Sequence, residues 1–206
     1  MVRAALFLCA VLALAGCGGG DEVRPYAVVR RPDIWQNIIQ ESDRPRLAGL
    51  YSAWAAIRRD VPPADLAALG AVVSDTAVRA GGFPGAGTYR CRMVRLGRRR
   101  DAPAGQPLVQ VGDWQACTLR ADGTMMRLVG SGDGQTLSGT LFTDNDRLVF
   151  LGTVRLPGEM GVLPYGTDRD RSQVGALQTV GEAHWRIALP WPRWQSKLNI
   201  LELVPA

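Results

Sequence analysis

Six arginines crowd into eleven residues: Arg90, Arg92, Arg95, Arg98, Arg99 and Arg100, with no acid until Asp101. Guanidiniums so gathered can hold phosphate, lipid A or an acidic protein surface through bidentate hydrogen bonds. The plainer reading is a solvated loop, because arginine is the default cation of this chain and Lys197 is its only lysine. Strand periodicity puts Arg90 and Arg92 on one face, with the triple arginine in or near the following loop. His184 is the only histidine. It stands beside Trp185 at an expected strand start, with no acid or serine placed by sequence to orient it, and reads as structural. Asp144 with Asp146 and Asp168 with Asp170 form D-x-D patterns that could offer oxygens to calcium. Neither lies in a loop of the spacing a calcium hand requires, so both read as turns. Gly130-Ser131-Gly132-Asp133-Gly134 lacks the lysine and following helix of a phosphate cradle and also reads as a turn. No nucleophile elbow, metalloprotease helix or dinucleotide fingerprint occurs, so no cofactor, metal or catalytic residue is assigned.

The aromatic chemistry is concentrated in Pro190-Trp191-Pro192-Arg193-Trp194. Prolines deny this segment ladder hydrogen bonds, which makes it a corner. Trp191 and Trp194 then either plug one end of the fold or form an aromatic contact surface.

The cysteines set the compartment. Met1-Val2-Arg3 precedes an apolar run from Ala4 to Leu14, the length of a secretory core and too short to span a bilayer. Leu14-Ala15-Gly16-Cys17 is a lipobox, so residues 1–16 are expected to leave as a signal peptide and Cys17 to carry lipid. Two or three acyl chains give stable membrane anchoring where one does not. The alternative is an ordinary cut after Ala15. Residues 17–31, opening Gly18-Gly19-Gly20, form a flexible tether. Gly18 stands where some retained lipoproteins carry aspartate, which points to the periplasmic face of the outer membrane. In that setting no nucleic-acid partner is expected, and the net charge of +5 is modest. Cys9 departs with the signal and Cys17 is lipidated, leaving Cys91 and Cys117 as a pair in an oxidising compartment. With one histidine they make a poor zinc site, and a structural disulfide is the expectation.

These groups must be positioned by two kinds of element. Residues 32–80 read as helical. Asp33 can cap a turn bearing Ile34, Trp35, Ile38 and Ile39, and Asp43 precedes a helix with Leu47, Leu50, Tyr51, Trp54 and Ile57 on one stripe. Pro62-Pro63 ends it, and Asp65 can cap a third segment reaching Val73. After the hinge Gly81-Gly82-Phe83-Pro84-Gly85 the period changes to two. Expected strands run from Thr88, through Cys117 to Leu119, then at 125–129, 137–142, 148–156, 174–180, 184–189 and 198–204. Asp122-Gly123, Asp133-Gly134 and Asp144-Asn145-Asp146 are hairpin turns. The fold class is therefore α+β: a helical segment packed on an antiparallel, calycin-like barrel of about eight strands over 84–206, with a two-sheet sandwich as alternative. Leu148 to Leu156 is apolar on both faces and must be covered on both, so the helices are expected to pack outside it.

Tyr89-Arg90-Cys91-Arg92, Leu96-Gly97, Gly130-Ser131, Ser138-Gly139-Thr140-Leu141, Phe150-Leu151-Gly152, Tyr165-Gly166, Pro190-Trp191-Pro192 and Leu201-Glu202-Leu203-Val204-Pro205 recur in this order. In this set the chain resembles a domain-of-unknown-function family of small Gram-negative envelope proteins. The resemblance implies fold and address, and no activity. Two functions follow as expectations. One is a non-catalytic barrel that holds a small apolar or anionic envelope ligand. The other is an interaction role, in envelope assembly or in inhibiting a wall-degrading enzyme. The latter rests on likeness in format to small barrel lipoproteins that inhibit lysozyme.

Overall fold

The alternation that begins at Thr88 produces an antiparallel meander whose last strand returns to its first. The computed structural model describes residues 34–74, 83–131, 134–144 and 147–206. Its strands are β1 Gly87–Leu96, β2 Val109–Val111, β3 Gln115–Asp122, β4 Met125–Gly130, β5 Thr136–Asp144, β6 Arg147–Arg155, β7 Ser172–Gly181, β8 His184–Pro190 and β9 Leu198–Pro205. From β3 to β9 each pairs antiparallel with the next, and β9 returns to β1 in unbroken register from Tyr89↔Pro205 to Leu96↔Leu198. That last pairing closes an eight-strand barrel and excludes the sandwich; closure removes the exposed edges an open sheet would present. β2 is an extra strand that sequence reading missed, because three residues are too few to show a period. It takes the edge of β1 at Val94 to Leu96, where β3 has parted from β1 after Cys91↔Gln115.

Inside the barrel, alternate residues build one apolar core that includes Leu119, Leu128, Leu141, Phe150, Ile187 and Leu203. Phe150 sits fully buried over a pair of glycines directly opposite each other, Gly139↔Gly152. A Cβ on Gly139 would stand 2.7 Å from Phe150 Cζ, and one on Gly152 would run into the same ring and the Ser138 carbonyl. The glycines thus leave the ring its seat, and the centre of the barrel is filled.

Outside, the helical segment covers two apolar patches. It comprises α1 Trp35–Ile38, a tight turn Glu41–Asp43, α2 Arg44–Ala48, α3 Leu50–Asp60, α4 Pro63–Ala67 and a second tight turn Gly70–Val73. Ile39 and Leu47 pack on Phe142, Val149, Leu151 and Val174, so β6 is covered on both faces as its composition required. Ala53, Trp54 and Ile57 pack on Val94, Leu96, Ala188, Leu198 and Ile200. The helix breaks at Gly49, whose Cβ would crowd the Trp191 indole at 2.9 Å. Past the break, the buried arc of α3 is Ala53, Trp54, Ala56 and Ile57, which leaves Tyr51 82 % exposed rather than on the stripe. Arg186, on the outer face of β8, is only 3 % exposed. It donates to the Val72 and Ser74 carbonyls (2.8 and 2.9 Å) and lies 4.5 Å over the Trp54 ring, and burial pulls its pKa down to about 10.

Of the two acids expected to cap helices, the described one does not. Asp33 lies outside the described residues, and α4 has Pro62 as its N-cap, with Asp65 inside its first turn and no side-chain cap. Asp43, which precedes α2, is completely buried and serves as an anchor. Its Oδ1 accepts from Arg46 (2.8 Å) and Arg193 (3.1 Å), and its Oδ2 from the Tyr165 hydroxyl (2.7 Å). Burial, with Asp43 beside it, holds the Tyr165 phenol above its ordinary pKa, and burial lowers that of Arg46.

Placing a methyl against Phe150 must strain the core. Gly152→Ala is expected to lose about 1–3 kcal/mol of unfolding free energy in urea titrations. Adding Phe150→Leu should return part of that loss; strictly additive losses would contradict the seat.

Candidate functional site

Strand parity carries one arginine into the barrel. Tyr89, Cys91 and Met93 face the core, so Arg95, two residues on, faces it as well, opposite Asn199 of β9. Its side chain crosses the barrel mouth and donates to the Gln135 carboxamide at the start of β5, although β1 and β5 are not neighbours in the sheet. The Arg95–Gln135 bar divides the mouth into two lobes. The first, about 230 Å³, opens in the seam where β1 and β3 part and is lined by the Cys91–Cys117 disulfide, Asp113, Gln115 and Ser131. The second, about 200 Å³, is lined by Val154, Gln173, Leu189, Trp194, Gln195 and Asn199. Among the described residues no carboxylate pairs with Arg95, and burial lowers its pKa from the ordinary arginine value. An arginine nonetheless keeps its charge at neutral pH.

The wall of the second lobe is the corner between β8 and β9. Trp191 and Gln195 adopt positive φ (48° and 61°), a conformation that costs non-glycine residues energy and persists only when surroundings impose it. The surroundings are dense here. Trp191 N donates to Lys197 O at 2.9 Å, Lys197 N to Leu96 O at 3.0 Å, and Arg99 N to Gln195 O at 2.8 Å. Arg193 ties the corner to Asp43, and Arg46 Nε donates to Trp191 O at 2.9 Å.

The aromatic pair divides. Trp191 turns outward against the helices, its Nε1 donating to Gly49 O at 3.1 Å, so it does not plug the barrel end. Trp194 stands at the mouth. The arginine run divides too. Arg90 and Arg92 lie on the outer face over Trp114 (5.1 and 4.5 Å), and Arg92 pairs with Glu202 at 2.5 Å. Arg99 pairs with Asp101, while Arg98 and Arg100 are exposed. The six therefore do not make one patch. His184 does have an acid to orient it: its Nε2 lies 2.7 Å from Glu202 Oε1, across two strands that sequence alone does not align. Asp168 holds the Asp170 and Arg171 amides and pairs with Arg171, which makes its D-x-D a turn. Cys17, Asp146, Gly132 and Asp133 lie outside the described residues.

Residues 35–203 match the family described as Domain of unknown function (DUF4893). The chain belongs to that family. The chain matches no curated protein and no solved structure. The DUF4893 span runs from the start of α1 into β9, so helical segment, barrel and mouth are one family unit. Sequence reading missed the mouth of this DUF4893 domain, because Arg95 was weighed with its neighbours as a loop cation. The parity of Tyr89, Cys91 and Met93 was the signal that separates it from them.

The disulfide of the DUF4893 domain links diagonal neighbours on the inner face at the point where the β1–β3 ladder ends. It encloses a chain separation of 26 residues, and a loop of that size is worth about 3.5 kcal/mol on the chain-entropy account. The paired variant Cys91→Ala/Cys117→Ala is expected to lose stability of that order in urea unfolding. A loss near zero would show that the seam is held by packing alone.

Proposed function

We propose that this protein is a non-catalytic, lipid-anchored envelope protein whose barrel mouth binds a small anionic ligand. The observation that carries the reading is Arg95, an inward-facing cation set across an open lobe with an amide rather than a carboxylate for partner. Unpaired buried charge costs free energy that an incoming anion offsets. The packed core at the centre of the barrel favours a ligand at the mouth, where the second lobe combines apolar walls (Val154, Leu189, Trp194) with convergent polar groups (Arg95, Gln135, Gln173), as small-molecule sites do. The non-catalytic part of the reading draws on the place of His184, whose carboxylate partner Glu202 also pairs with Arg92 on the outer face and which lines neither lobe. The envelope address rests on the lipobox at Cys17.

The test is native mass spectrometry of the Cys17→Ser form purified gently from the periplasm of its own host. A reproducible small adduct, lost on unfolding and lost in Arg95→Gln, is the expected result. An adduct that survives Arg95→Gln would move the site elsewhere, and a bare protein would contradict ligand binding.

A further inference from the structure

We infer that the second lobe takes a small monocarboxylate bearing a neutral hydrogen-bond donor, the chemistry of N-acylated amino acids and of hydroxy acids; this rests on the mouth being the binding site. Charge comes first. Arg95 is the one charged side chain among the residues lining that lobe, whereas the first lobe also exposes Asp113. One guanidinium in a half-buried setting suits one negative charge. A phosphate dianion would leave its second charge without a cation in a place of poor solvation. The Gln135 carboxamide engages Nη2, so Nε and Nη1 remain to meet a carboxylate.

Hydrogen bonding supplies the second constraint. Gln173 is 3 % exposed and lines the lobe, and its Nε2 donates to the Arg171 carbonyl at 3.3 Å. Its Oε1 has no partner, a costly arrangement for a buried acceptor. The terminal torsion of a glutamine is broad, so a small turn presents that oxygen to the lobe. What satisfies it is an N–H or O–H donor. An ammonium is excluded by the same charge count, because the lobe offers no carboxylate to pair with it. Val154, Leu189 and the Trp194 indole then receive an apolar body. The volume of about 200 Å³ lies below the roughly 300–1,000 Å³ of drug-sized pockets, which keeps the ligand small.

Four probes separate these features when titrated into the full chain with Cys17→Ser, followed by the NMR signals of the Trp194 indole and Gln173 carboxamide. They are N-acetyl-leucine, its neutral amide, 4-methylpentanoate, and inorganic phosphate. N-acetyl-leucine is expected to shift both signals. The neutral amide should bind about tenfold more weakly or worse, as a lost charge-assisted bond requires. 4-Methylpentanoate, which keeps the carboxylate and lacks the donor, should bind roughly fivefold more weakly. Arg95→Gln should abolish the preference for carboxylate over amide, and Gln173→Leu the preference over 4-methylpentanoate. If phosphate or the neutral amide moves the Trp194 signal at equal or lower concentration, the ligand class is wrong while the mouth remains the site. If no probe moves either signal, the class is wrong. A native adduct that depends on Arg95 then keeps the mouth as the site, and its absence removes both readings.

Discussion

A buried carboxylate with two guanidiniums and a phenol on it is the joint on which this architecture turns. Asp43 is wholly inside, and Arg46, Arg193 and Tyr165 reach it from α2, from the β8–β9 corner and from the loop between β6 and β7. None of these segments neighbours another in sequence. Around the same point Arg46 also donates to the Ser172 carbonyl at 3.0 Å, and Tyr165 accepts from the Gln40 amide at 3.1 Å. A buried ion pair of this kind contributes little net stability over a well-packed apolar substitute, but removing one partner costs about 3–5 kcal/mol because the others stay charged and unpaired. Its role is therefore positional. It fixes where the helical segment meets the barrel and where the corner bearing Trp194 stands.

The barrel itself divides labour along its axis. Its centre is a packed core, seated on the Gly139–Gly152 pair under Phe150. Its mouth is where the ladder between β1 and β3 gives out, where β2 is appended and where the corner adopts two positive-φ residues. These irregularities share an end with the arginine that has an amide for partner, while the β7–β8 ladder carries its own register shift between Thr179 and Gly181 at the other end. The disulfide holds the seam, and Asp43, through Arg193, holds the opposite wall.

Much of this was legible before any coordinates. Period-two segments gave β5 through β9 to within a few residues, because strands that face a core on one side must alternate. The two-faced apolar run in β6 foretold the helices outside it, since an apolar face left in water is unstable. Illegible were the features that depend on pairing between distant segments. The Glu202 that orients His184 comes from a register the sequence does not state, and the partners of Asp43 (Arg193 and Tyr165) lie more than a hundred residues away, where no local pattern announces them. Arg95 was readable in principle by parity, yet its neighbours in the arginine run masked it.

Hydrogen exchange on Asp43→Asn, compared with the parent protein, tests most directly whether this carboxylate positions the mouth wall. The substitution keeps the size of the side chain and removes its charge. Amides of the 190–197 corner and of the 164–172 loop are expected to lose protection selectively, with Trp191 and Lys197 foremost, while the β3–β4 hairpin exchanges as before. Unchanged protection in the corner, or a loss spread evenly over the barrel, would show that the corner is held by packing and that Asp43 has no special part in it.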